Sequence, residues 1–237
     1  MAKPLNRDWA VTPHGPIEKL DDNLWTVEGL LPGTPILRRM SIVKRSDGTL
    51  LFFHAIPLED ALLDEIRAWG RPAYLVVGHD QHMVDAHAFR QMLGLKLYGP
   101  GSAADKIRAR TTFDGLLEDI PSDPSMEVRP VPGSKKGEPV LILKSGGGAR
   151  VSLLFSDVIQ NMPREKGSML LRVMGFTGPH PKVVFMFRAL FLKDNAALKK
   201  ALLDWANIPN LARLVPFHGD IVGATASADL KRAALEL

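Results

Sequence analysis

Apolar positions along the chain follow two rhythms. Asn23-Leu-Trp-Thr-Val-Glu28 and Met40-Ser-Ile-Val-Lys44 alternate with a period of two, and the turn signal Arg45-Ser-Asp-Gly48 leads into Thr49-Leu-Leu-Phe-Phe-His54. These segments predict an antiparallel meander. The period then changes: across 58–69 apolar residues recur at helical spacing, with Pro57 ahead and Gly70 just behind. A buried strand is predicted over 73–77, a helix over 83–93 and a strand over 95–98. The stretch 99–139 is rich in Pro, Gly and Ser and reads as connective, with a short helix near 103–108. Strands over 140–144 and 150–155 are joined by Ser145-Gly-Gly-Gly148 in a predicted hairpin. The last third reads as helical, with an amphipathic helix over 194–205, one short strand over 211–215 and a closing helix from Ser227. Strands followed by helices in both halves, without an internal repeat, predict a single α/β domain of two sheets covered by helices.

Composition narrows the class. The 237 residues are 46% hydrophobic and 24% charged, which excludes a disordered, collagenous or coiled-coil chain. A chain this long buries about 70% of its extended surface and needs no staple. The absence of cysteine excludes disulfides and thiolate metal sites. The pI of 9.4 raises the question of nucleic acid. However, the basic residues come as scattered pairs (Arg38-Arg39, Lys135-Lys136, Lys199-Lys200) and aromatics are only 7%, so no stacking platform is expected. The N-terminus lacks an apolar signal region, and the richest apolar run, 183–192, is broken by Arg188. A cytoplasmic protein without a membrane partner is expected. The apolar region 169–192, containing Val183-Val-Phe-Met-Phe187, reads either as a buried helix or as an association surface for a homo-oligomer.

The candidate chemistry lies in the histidines: His14, His54, His79, His82, His87, His180 and His218. His54, His79 and His218 each stand at or just behind an apolar strand-like run, where α/β folds collect ligands. Taken singly, each reads first as a capping or hydrogen-bonded histidine with no metal; together they suggest a shared site. In a helix, the spacing of His79-Asp-Gln-His82 would put both imidazoles on one side, suited to Zn²⁺ or Fe²⁺; the alternative is a polar helix start. Asp85 and His87 are expected to face solvent. Val151-Ser-Leu-Leu-Phe-Ser-Asp157 is an apolar strand ending in a carboxylate, which is either a ligand or a helix N-cap. In Arg213-Leu-Val-Pro-Phe-His-Gly-Asp220 a strand ends at Pro216 and presents His218, Gly219 permits close backbone approach, and Asp220 reads as a turn residue.

The order of these pieces, together with Pro132-Gly-Ser134 before the strand pair, resembles the metallo-β-lactamase superfamily over roughly 23–237. It is most similar to an uncharacterised branch whose first strand ends in a histidine followed by Pro and Leu, here Phe53-His-Ala-Ile-Pro-Leu58. The resemblance implies an αββα sandwich as a single domain over 23–237, preceded by an N-terminal extension, 1–22. The chain also departs from the superfamily's pattern. Its metal motif, His-x-His-x-Asp-His, started at His79 meets Gln81, Met83 and Val84, and its Pro-Gly-His turn ends here in Ser134. The usual two-metal ligand set is incomplete. At matched positions the resemblance leaves His79, Asp157 and His218, with His54 in place of a first-strand Asp and His82 as a substitute. These five imply one divalent ion, zinc or iron, or none. An ion with an open position implies hydrolysis of a small-molecule substrate at a carbonyl or phosphoryl centre, with Asp157 ligating or orienting the water. The alternative is a non-catalytic binding module, a pseudo-enzyme that has lost its metal. Ser134 is expected to mark the vacated ligand position.

Overall fold

The early alternating and buried runs pair, in sequence order, into one seven-stranded sheet: β1 (Glu18–Asp21), β2 (Leu24–Leu30), β3 (Leu37–Lys44), β4 (Thr49–Phe53), β5 (Arg71–Val76), β6 (Lys96–Gly99) and β7 (Gly115–Leu116). This computed structural model describes residues 5–167, 169–173 and 175–237. The first four residues of the N-terminal extension, and Met174 in the apolar region, lie outside them. The chain divides into two compact units between Met126 and Glu127.

In the first unit, β1 to β4 run antiparallel and β4 to β7 parallel. Parallel neighbours require a crossover, and the helical spacing enters the sequence at that point. The crossovers are α1 (Asp60–Trp69), α2 (Ala86–Leu93) and, before β7, α3 (Ala104–Arg108). Leu63 and Ile66 form the buried stripe of α1. Every residue of β4 is buried, as expected of a continuous apolar strand covered on both faces. Val27, Ile42, Phe52, Leu75, Phe89 and Leu97 belong to one core, with Phe52 edge-on to Phe89 at 5.1 Å. Leu5, Trp9 and Ile17 pack against the same core, and Trp9 stacks on Phe89 at 5.5 Å.

The second unit holds a four-stranded sheet of β8 (Met126–Pro130), β9 (Pro139–Ser145), β10 (Arg150–Phe155) and β11 (Leu211–Pro216), in the order β11-β10-β9-β8. β9 and β10 form the expected antiparallel hairpin, and β11 returns parallel to β10. Between β10 and β11 lie α4 (Met169–Val173), α5 (Phe185–Phe191) and α6 (Asn195–Ala206), and α7 (Ala226–Leu235) follows β11. Asp194 caps α6 by accepting the Ala197 N–H at 2.9 Å, worth about 1 kcal/mol. Leu198, Ala201, Leu202 and Trp205 form its buried stripe, and Trp205 meets Phe155 at 5.6 Å. The apolar region 169–192 is part core and part surface: Phe187 is buried, whereas Met169, Val173, Phe185 and Leu190 are exposed.

The connective stretch holds two strands that its sequence pattern does not announce. β7 has two residues, and β8 buries only Met126, so neither carries an apolar alternation. Among the described residues, no helix is long and apolar enough to cross a membrane.

Candidate metal centre

Adjacent parallel strands deliver their C-terminal ends to the same edge of a sheet. In the first unit Phe53 of β4 stands opposite Val76 of β5, so His54 and His79 emerge together. His54 has φ +68°. A non-glycine residue held there costs about 1–2 kcal/mol, and such strain gathers at functional sites. Its buried ring stacks on Phe53 at 4.2 Å and lies 4.9 Å from His82, near perpendicular.

His79 and His82 sit on a turn, not on a helix. The His82 N–H donates to the His79 carbonyl at 3.1 Å, and α2 begins only at Ala86. A turn closed between residues three apart brings them together as a helix would, and the rings lie 4.0 Å apart. The first unit thus gathers three imidazoles, His54, His79 and His82. The Gln81 N–H donates to His79 Nδ1 at 3.1 Å, which places the proton of the neutral ring on Nε2. Arg110 donates to the Asp80 carbonyl at 2.8 Å, and Lys106 lies 3.5 Å from the Asp80 carboxylate.

The expectation that Asp85 and His87 face solvent is corrected. Asp85 is buried and paired with the buried Arg38, and it accepts from Asn6 Nδ2 at 2.6 Å. His87 is half-buried, with Nδ1 2.8 Å from Thr111 Oγ1. Asp85 is covered by Arg38 of β3 and by the N-terminal segment, whose Asn6 N–H also donates to the Val84 carbonyl at 2.6 Å.

The second unit repeats the edge geometry. Phe155 of β10 stands opposite Pro216 of β11, so Asp157 and His218, each two residues further on, leave the sheet side by side. His218 Nε2 lies 3.7 Å from Asp157 Oδ1, and both side chains are partly exposed. No helix starts directly after Asp157, where the chain bends, which removes its N-cap reading. The two exits are latched to each other. The Asn161 N–H donates to the His218 carbonyl at 3.1 Å, the Asp220 N–H to the Asn161 carbonyl at 2.7 Å, and Asn161 Nδ2 to the Asp220 carbonyl at 2.9 Å. Gly219 makes this possible: its φ is +95°, and a Cβ there would stand 1.9 Å from the Asn161 oxygen.

Ser134 Oγ accepts the Lys136 N–H at 3.1 Å, and the residue bridges to Leu192. The remaining histidines lie elsewhere: His14 Nδ1 is 2.9 Å from the Gly15 carbonyl, and His180 is exposed.

Sequence reasoning missed Glu138. It is completely buried, and its Oε2 accepts the Asp157 N–H at 3.3 Å. Burial, and after it the charge of Asp157, push its carboxyl well above the ordinary glutamate range. An acidic residue between Gly137 and Pro139 reads as loop, and only the pairing of β9 with β10 reveals it.

No family model and no curated protein matches the chain in sequence. Solved structures do match its fold. The DIM-1 metallo-β-lactamase exposed to ceftazidime superposes with a TM-score of 0.62 at 15% identity, covering 96% of this chain and 99% of that one. The mono-zinc form of the metallo-β-lactamase FIM-1 from Pseudomonas aeruginosa gives 0.60 at 15% identity over 98% and 97%. A metallo-β-lactamase from Hirschia baltica gives 0.58 at 17% identity over 93% and 98%. Two sheets with their helices, matched along nearly the whole length, place the chain on the metallo-β-lactamase fold.

Proposed function

We propose that the protein is a metal-dependent hydrolase with a single divalent ion, zinc or ferrous iron, held by donors drawn from His54, His79, His82, Asp157 and His218. The observation that carries this reading is the ring-to-ring packing of three imidazoles, one on a residue at positive φ, at the sheet edge where ligands gather. Packing alone does not call for strained backbone beneath a histidine cluster. Imidazole nitrogen and carboxylate oxygen suit zinc and ferrous iron, so the donors present fit the group.

A bound ion supplies Lewis acidity, which makes water nucleophilic near neutral pH and polarises a carbonyl or phosphoryl oxygen. The chain's own groups divide the remaining work. Asp157 would ligate the ion or orient the attacking water, and His218 Nε2 stands 3.7 Å from its Oδ1.

Elemental analysis of protein purified without chelators, with zinc titration calorimetry on the same preparation, tests this reading. The expected result is about one ion per chain, with His82→Ala and Asp157→Ala each weakening binding at least about tenfold. Two tightly held ions would refute the single-ion site. No zinc binding would refute the hydrolase reading and favour a non-catalytic binding module.

A further inference from the structure

The ladder between β9 and β10 ends with Val140 opposite Phe155. Continued by one more non-adjacent pair, the same register sets Glu138 against Asp157. Two carboxylates directly opposite each other oppose pairing. The chain resolves this by opening the ladder. The Asp157 N–H turns to Glu138 Oε2 at 3.3 Å, and the Val158 N–H also bonds to the Glu138 carboxylate. Glu138 itself is anchored, since its carbonyl accepts the Val131 N–H at 2.8 Å and Pro139 starts β9. It is completely buried, and its Oε1 has no hydrogen-bond partner. Burying a carboxyl group with one oxygen unsatisfied costs stability, so its place under Asp157 calls for a return.

We propose that Glu138 is a positioning residue of the metal centre, fixing through the Asp157 and Val158 backbone N–H groups the turn that stands the Asp157 carboxylate beside His218. The effect on the ion rests on the hydrolase reading, whereas the effect on the Asp157 turn does not. Any acceptor that reaches the same N–H groups does the same job. Glutamine therefore substitutes, and an apolar side chain of equal length does not.

The test uses the full chain with Glu138→Gln and Glu138→Met. Zinc affinity and the visible spectrum of the cobalt-substituted protein report the centre, and amide hydrogen exchange of the metal-free protein reports the turn. The Met variant is expected to lose about 10–100-fold in zinc affinity, as for other residues that orient a ligand, and the Gln variant to stay within about threefold with an unchanged cobalt spectrum. In the metal-free Met variant, exchange at Asp157 and Val158 accelerates while the amides of β9 and β11 keep their protection. Zinc affinity equal to wild type in both variants, or unchanged exchange at Asp157 and Val158 in the Met variant, overturns the proposal. If the wild type binds no zinc, the hydrolase reading falls and the exchange measurement alone decides for or against Glu138. If the Met variant does not fold, a loss of about tenfold or more in the Gln variant overturns it.

Discussion

Gly219→Ala tests whether the exits of β10 and β11 are held by the close approach of two backbones. A Cβ at position 219 would stand 1.9 Å from the Asn161 oxygen, 2.2 Å from its carbonyl carbon and 2.7 Å from the Met162 nitrogen. These are main-chain atoms, which cannot rotate aside as a side chain does. An L-residue at positive φ costs about 1–2 kcal/mol, forcing packed atoms apart about 1–3, and each latch hydrogen bond lost about 0.5–1.5. With two of the three latch bonds lost, the expected loss is about 3–8 kcal/mol, a large share of the roughly 5–15 that holds a folded chain. Gly148→Ala is the control. Its φ, +94°, is nearly the same, yet nothing lies within 4 Å of its added Cβ. It is expected to cost only the conformational term, about 1–2 kcal/mol. Trp205 is the one tryptophan after Met126, so urea titration followed by the fluorine resonance of 5-fluorotryptophan at 205 reads the second unit directly. Equal losses for the two variants would refute the idea that backbone contact, rather than backbone conformation, requires glycine at 219.

The Arg38–Asp85 pair, with side chains 5% and 0% exposed, predicts that Asp85→Asn costs about 3–5 kcal/mol by stranding a buried guanidinium, while Arg38→Met with Asp85→Leu recovers part of the loss. Thermal melts of the single and double variants check this, and equal destabilisation would show that the stranded charge is not the cause. Asp123 predicts acid sensitivity of the first unit. Burial raises its carboxyl, but the hydroxyl and N–H bonds from Ser125 and Ser46 together outweigh burial and hold it below the usual range. A carboxyl held low in the folded state contributes stability above its unfolded value of about 3.9 and loses it as pH falls through the folded value. Asp123→Asn is therefore expected to be less stable near neutrality and to lose less between about pH 5 and pH 2, measured as urea midpoints. Parallel acid limbs for wild type and variant would refute it.

What was legible in the sequence, and what was not, follows from the range of the interactions involved. β2 and α6 declare themselves by their periods and β4 by its unbroken apolar run, whereas β8 is a strand only because β9 lies beside it. The spacing of His79 and His82 announces that the two rings meet, but an i to i+3 turn and a helix share that spacing, so the local backbone was not readable. Asp85 looks like a solvated charge on a helix start until Arg38, forty-seven residues away, is brought against it. Glu138 is hidden for the same reason: its burial depends on the register that sets Val140 opposite Phe155.

The placement of the donors is more robust than any motif. A side chain two residues past Phe155 meets one two residues past Pro216 because β10 and β11 are parallel and in that register, whatever residues occupy positions 157 and 218. The same holds for the exits of β4 and β5 at His54 and His79. Ladder hydrogen bonds, not the ligands themselves, bring these positions together. The chain presents imidazoles at the exits of β4 and β5 and a carboxylate and an imidazole at the exits of β10 and β11. The register supplies the addresses, and the residue standing at each one sets its chemistry.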